Sequence, residues 1–232
     1  MKIYTKEDLN NYEFALTFDD ISLVPTEVSE IQSRSEVSTN SVFAGVQLSL
    51  PVISSPMDSV TGTAMAKELT KLGCLGVLNR FGSTLENIFM SKENIEDIKA
   101  VSIALNTDDD IIEKLAEQNL IICIDTANAN NVSVLKKCEE IKSKFDVKVM
   151  VGNIAHGATL KQLVDAGADS VRIGIGGGSV CTTSIQTGIG LGQVSSLLDV
   201  YIARKEQNLK IELIADGGIK SPGDVSKAIA LG

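Results

Sequence analysis

Histidine is almost absent from this sequence: His156 is the only one in 232 residues. It stands without partner ligands, which argues against a metal centre and leaves it a role on a loop surface. Paired cysteines are missing too. Cys74, Cys123, Cys138 and Cys181 form no CxxC and keep no regular spacing, which favours reduced thiols in a cytoplasmic protein over a disulfide framework or zinc site. No apolar run approaches the roughly 20 residues of a membrane helix. The opening MKIYTKEDLNNYEF has no apolar segment of the kind a signal peptide needs, so no membrane partner is expected. Positive charge is in deficit, with 21 Lys and Arg against 30 Asp and Glu for a net charge of −9. That disfavours a nucleic-acid partner, since backbone phosphates call for concentrated Lys and Arg. A nucleotide ligand stays open, because backbone N–H groups can hold its phosphate.

What is present is a rhythm of short apolar runs and amphipathic helices. The runs lie near 48–54, 74–78, 101–105, 120–125, 148–153, 170–174 and 211–215, and their near-continuous hydrophobicity suits parallel strands buried on both faces. Between them, Ile111 and Leu115 share a face behind Thr107 and the Asp108-Asp109-Asp110 run. Leu135, Cys138 and Ile141 repeat at helical spacing, as do Leu160, Leu163 and Val164 before a stop at Gly167. Leu197, Leu198 and Tyr201 form another face, and Ser221-Pro222-Gly223-Asp224 supplies a cap, a first-turn proline and a capping-box carboxylate before the helical face Val225, Ala228 and Ile229. Lys136, Lys137 and the aspartate run read as solvated faces.

Strand-helix alternation means a parallel sheet with crossover helices. A doubly wound sheet would carry its phosphate glycines after the first strand. Here the richest glycine loops follow the sixth and seventh, a habit of the TIM (β/α)8 barrel. The reading is therefore a single barrel domain over residues 1–232, with an eighth strand expected beyond Gly232. Its candidate site residues lie at the C-terminal ends of the strands: Ser54-Ser55-Pro56-Met57-Asp58, Asp125-Thr126-Ala127-Asn128, Gly152-Asn153, Gly174–Thr183 and Ala215-Asp216-Gly217-Gly218. In the glycine loop, Gly176, Gly177 and Gly178 can expose N–H groups to a phosphate, Ser179 adds a hydroxyl, and Cys181 lies within reach of whatever is anchored. Taken by motif alone, Cys181 reads equally as apolar filler behind a tight turn. Cys74, Cys123 and Cys138 read as core. Asp216 could take both hydroxyls of a ribose diol or brace a loop, and Asp125 could orient a cofactor amide.

Together these loops resemble the IMP dehydrogenase/GMP reductase family. Leu16-Thr17-Phe18-Asp19-Asp20 is similar to the family's N-terminal LTFDD segment, and Ser54-Ser55-Pro56-Met57-Asp58 to its first-strand loop. Gly174-Ile175-Gly176-Gly177-Gly178-Ser179-Val180-Cys181-Thr182-Thr183 resembles its catalytic loop, and Ile214-Ala215-Asp216-Gly217-Gly218-Ile219 its phosphate and ribose segment. The resemblance implies an enzyme that joins Cys181 sulfur to C2 of a purine nucleoside monophosphate and moves hydride between C2 and a nicotinamide. It implies substrate contacts at Ser55, Met57, Gly178, Ser179, Asp216, Gly217 and Gly218, and cofactor contacts at Asp125, Thr126, Ala127 and Asn128. Thr183 would assist catalysis. A monovalent cation, potassium, would sit at Gly174, Gly176 and Cys181, and the enzyme would be a homotetramer.

Two branches remain. About twenty residues separate Arg80 from Val101, too few for the dehydrogenase's tandem CBS regulatory module. Gln32–Val37, Cys123–Asn128 and Thr187–Gly190 resemble the reductase, whereas SSPMD and IADGGIK look more like the dehydrogenase. The favoured reading is GMP reductase, turning GMP and NADPH into IMP and ammonia. The alternatives are an IMP dehydrogenase that makes XMP with NAD, and a non-catalytic nucleotide-binding or assembly relative. Three departures from the family pattern stand out: Gly177 and Gly192 in place of prolines, and Ser184 in place of an arginine.

Overall fold

The computed structural model describes residues 15–25, 28–81, 97–178 and 181–232. A short antiparallel hairpin comes first, β1 (Ser41–Phe43) and β2 (Val46–Leu48). Seven strands follow: β3 (Ile53–Ser54), β4 (Leu75–Leu78), β5 (Ala100–Ile103), β6 (Ile121–Asp125), β7 (Val149–Ile154), β8 (Ser170–Ile173) and β9 (Glu212–Ala215). They form one sheet in sequence order, every neighbouring pair parallel. The described helices are α1 (Thr63–Lys71), α2 (Asp109–Glu117), α3 (Val132–Lys144), α4 (Leu160–Asp165), α5 (Thr183–Thr187), α6 (Gln193–Glu206) and α7 (Pro222–Ala230). The sheet curls until its first and last strands meet at one rim, where Ser55 Oγ donates to Asp216 Oδ1 at 2.7 Å. This is the expected barrel architecture, with seven of its strands in place. A cleft of about 610 Å³ separates β3 from β9 below that contact.

Alternation along the strands divides the core in two. Leu75, Val77, Ala100, Ile121, Cys123 and Met150 face the barrel interior, and Phe43 and Leu48 of the hairpin pack against them. Their strand neighbours Leu78, Val101, Ile122, Ile124, Val149, Val151, Val171 and Ile173 face outward onto the helices. Each fully buried aliphatic side chain contributes about 1.5–3 kcal/mol, so the two-sided burial explains why these strands read as unbroken apolar runs. Local signals fix the helix ends. Ser221 and Asp224 complete a capping box at α7 with Pro222 behind it, Asn131 caps α3, and Gly167 adopts φ +94° after α4.

Four expectations need correction. The run 48–54 is two strands, because Pro51 has no N–H to give a ladder and the chain turns to let Ser49 N donate to Gly73 O at 2.7 Å. The inner face of α6 is Val194, Leu197 and Val200, whereas Leu198 is 43% exposed. On α7, Ile229 points out. Lys137 is buried and not solvated, its Nζ donating to Thr107 O at 3.1 Å near Asp109.

Candidate active site

The glycine-rich loop leaves β8 at Gly174 and enters α5 at Thr183. Gly174 sits at φ +141°, and a Cβ there would fall 2.1 Å from Asp216 O. Gly176, at φ +83°, lies against Ser184. These two positions require glycine, one to pass the neighbouring strand and one to turn. Within the turn Cys181 N donates to Gly178 O at 3.1 Å. The half-buried Cys181 thiol lies below its ordinary value: the Thr183 hydroxyl lowers it most, and the backbone N–H groups of Thr183 and Gly176 add to this against partial burial and the Asp216 charge. Donors aimed at sulfur favour the thiolate, the nucleophilic form. Elsewhere burial does the opposite, pushing Cys123 to about 11 and Cys138 to about 12. Those two thiols and the buried Cys74 are core, as expected.

Asp216 ends β9 beside this loop. Its Oδ1 accepts from Ser55, while Oδ2 accepts from Asn153 Nδ2 at 2.6 Å and Arg172 NH2 at 2.7 Å. Burial alone would push the carboxyl up, but Arg172, Asn153 and Ser55 outweigh it and hold it below the usual carboxylate value. A carboxylate has about four acceptor positions, and three are already filled. Asp216 thus has room for about one ligand hydroxyl, unless a present donor moves, rather than both hydroxyls of a diol. Gly217 and Gly218, at φ +88° and +75°, bring their backbone against Gly178 and Gly177. The tight approach those glycines permit is first of all between the two loops.

Ser55, Asp125, Gly152, Asn153, Cys181 and Asp216 all lie at the C-terminal rim of the strands. Met57, half-buried, anchors the loop after β3 by accepting from Val60 N and Thr61 N. Thr126 Oγ1 donates to Gly152 O at 2.8 Å, Asn128 Oδ1 accepts from Asn130 N at 3.0 Å, and Ala127 and Asn128 are exposed. Gly174 O accepts from Asn153 Nδ2 at 2.8 Å. Ser179 lies outside the described residues. His156 is an exposed cap, accepting from Ala158 N at 3.1 Å. Among the described residues no three His, Cys, Asp or Glu side chains gather as metal ligands, and no helix is long and apolar enough to cross a membrane.

Sequence reasoning missed Arg172 and Arg80. Arg172 is 6% exposed and bridges Asp216 to Asp125, with NH1 donating to Asp125 Oδ1 at 2.9 Å. Burial would lower its proton affinity, but Cys123, Asp216 and Asp125 raise it. Arg80 Nε stands 3.5 Å from Asp125 Oδ2. An arginine inside the apolar run SVRIG was the available signal, since a buried charge is kept only with a partner.

The model of the IMP dehydrogenase / GMP reductase domain matches residues 15–232. The chain belongs to that family. It is 32% identical over 273 residues to an inosine-5'-monophosphate dehydrogenase of Borreliella burgdorferi, covering 94% of this chain and 67% of the relative. It is 34% identical over 233 residues to a GMP reductase of Aliivibrio fischeri, covering 95% of this chain and 66% of the relative. An inosine-5'-monophosphate dehydrogenase of Cryptosporidium parvum is 30% identical over 264 residues, with 94% and 65% covered. The chain thus spans about two thirds of the length of these curated relatives, whose names denote oxidoreductases of both branches.

Two of the family departures gain a local account. Gly177 is outside the left-handed region, and among the described residues a Cβ there would meet only Gln193, at 3.5 Å or beyond. Glycine is therefore permitted but not demanded. Gly192 differs: its φ of −57° would suit proline, but a Cβ would fall 2.4 Å from Leu16 O. The LTFDD segment occupies that space, with Leu16 O accepting from Val194 N at 3.0 Å and Ser195 N at 3.3 Å. Ser184 packs against Gly176, and nothing in the structure explains the loss of arginine there.

Proposed function

We propose that this protein is a GMP reductase, converting GMP and NADPH to IMP, ammonia and NADP. The observation that carries the reading is the Cys181 thiol, held by Thr183 and Gly176 on a glycine loop that packs against Asp216-Gly217-Gly218. Cys181 adds to purine C2, Thr183 relays a proton to the departing 2-amino group, and the thiolate leaves once C2 has gained a hydride. A bound nicotinamide supplies that hydride. Thr183 is too weak an acid to act alone and needs a carboxylate partner.

Ser55, Met57, Gly178, Ser179, Gly217 and Gly218 would hold the nucleotide, with Asp216 on its ribose and Asp125, Thr126, Ala127 and Asn128 toward the cofactor. Asn153 supports a donor-bearing ligand. Its Nδ2 faces two acceptors, which fixes the amide orientation, and its Oδ1 is buried without a partner among the described residues. Potassium at Gly174, Gly176 and Cys181, a cytoplasmic homotetramer, and a single barrel unit without the CBS module belong to the same proposal. Identity to relatives of both branches favours a second reading, an IMP dehydrogenase acting with NAD. Incubation with GMP plus NADPH, and with IMP plus NAD, while following the reduced cofactor by absorbance separates them. NADPH consumed with GMP is expected; NADH formed from IMP alone overturns the reductase, and activity in neither direction leaves the non-catalytic relative.

A further inference from the structure

Arg172 has no part in the chemistry just outlined, yet it makes three side-chain contacts across the rim. It stands in β8 between Val171 and Ile173, both fully buried. Gly152 on β7 makes way for it, since a Cβ there would fall 2.7 Å from Arg172 Cβ. NH1 donates to Asp125 Oδ1 at 2.9 Å and reaches Cys123 Sγ at 3.6 Å, while NH2 donates to Asp216 Oδ2 at 2.7 Å. One planar fork thereby joins the end of β6 to the end of β9. With Arg80 beside the second oxygen of Asp125, charges alternate along the rim: Arg80, Asp125, Arg172, Asp216.

We propose that Arg172 is a positioning residue that couples the nucleotide side of the site, through Asp216, to the cofactor side, through Asp125. The inference rests on the functional reading above. A guanidinium presents its N–H groups in a rigid plane, so a shift of Asp216 on engaging a ribose hydroxyl turns the fork and moves the partner of Asp125. Each ligand then binds better to a rim the other has already set. Lysine keeps the charge, but a single ammonium on a flexible stem cannot hold two carboxylates at a fixed separation.

The test uses the protein as its gene encodes it in full, with IMP and NADPH, a pair that cannot react together. NADPH binding is read by fluorescence with and without saturating IMP, and IMP binding by calorimetry. In the wild type IMP should tighten NADPH by about fivefold or more. Arg172→Lys should weaken each ligand alone and reduce the coupling to within about twofold. Asp125→Asn, which keeps an oxygen for Arg172, should weaken NADPH and remove the coupling while leaving IMP alone within about threefold; it serves if the lysine variant does not fold. Coupling retained in either variant, or a lysine variant in which only one ligand is weakened, would overturn the proposal while the functional reading stands. A wild type that binds neither ligand would remove both.

Discussion

Replacing Gly192 by alanine adds one methyl group at the N-cap of α6, where the helix meets the N-terminal segment. That Cβ would lie 2.4 Å from Leu16 O, 2.8 Å from Leu16 C and 2.9 Å from Ala15 C. All three are backbone atoms, so no side chain can swing aside, and ordinary contact needs about 3.5 Å. Residues 15 and 16 must retreat by about 1 Å. The retreat breaks the hydrogen bonds from Val194 N and Ser195 N to Leu16 O and stretches the one from Leu16 N to Ser195 Oγ. At about 0.5–1.5 kcal/mol each these suggest a loss of about 2–3 kcal/mol, within the usual cost of overpacking. For a chain of this size that lowers Tm by about 4–12 °C. The Val194 and Ser195 amides should exchange about thirty- to 140-fold faster.

Gly62→Ala is the matched control. Gly62 is also a helix N-cap without a side-chain cap bond, yet among the described residues a Cβ there would meet nothing within 4 Å. It should cost only the roughly 0.5–1 kcal/mol by which glycine outranks alanine at a cap, well short of the overpacking cost. Thermal melts and amide exchange of both variants decide the matter. Gly192→Ala melting within a degree of Gly62→Ala, with Val194 and Ser195 exchange unchanged, would refute the clasp between the two segments.

Cys181→Ala should abolish turnover while leaving GMP or IMP affinity within about tenfold, because only the covalent step is lost; retained turnover would exclude the thiol. Thr183→Val removes the hydroxyl that most lowers the Cys181 thiol, so the midpoint of its alkylation against pH should move up, and an unchanged midpoint would break that link. Asp216→Asn tests acid stability. The folded carboxyl titrates below 3.8, so its stabilisation is complete above that value and is lost as pH falls through the folded value. The variant should lose about 3–5 kcal/mol near neutrality, as breaking a buried pair does, and show a flatter acid limb in denaturant titrations. Parallel acid limbs for the two proteins would count against the Arg172–Asp216 pair.

The barrel was legible because two-sided burial makes each central strand a continuous apolar run, and the capping box at Ser221 and the stop at Gly167 announce themselves locally. Leu198 and Ile229 misled, because helical spacing shows which residues share a face but not which face meets the sheet. Lys137 misled because its burial depends on the Thr107 carbonyl thirty residues away. At the site, Cys181 and Asp216 were visible from their glycines. The Arg172 bridge was not, since it joins three strands whose ends meet only in the folded sheet. Gly192 was visible as a departure, but its cause lies in the backbone of Leu16, which no local pattern reports.

The way the sheet closes also bears on the route by which this chain folds. Every strand pairs with its immediate predecessor or successor, so most of the barrel can assemble by successive additions of nearby segments. Closure is different, resting on Ser55 to Asp216, 161 residues apart, Ala44 to Glu212, 168 apart, and Phe18 to Lys227, 209 apart. Loops that long are entropically costly to close before other contacts exist. These contacts should therefore be last to form and first to part, so that Ser55→Ala speeds unfolding while leaving the folding rate nearly unchanged.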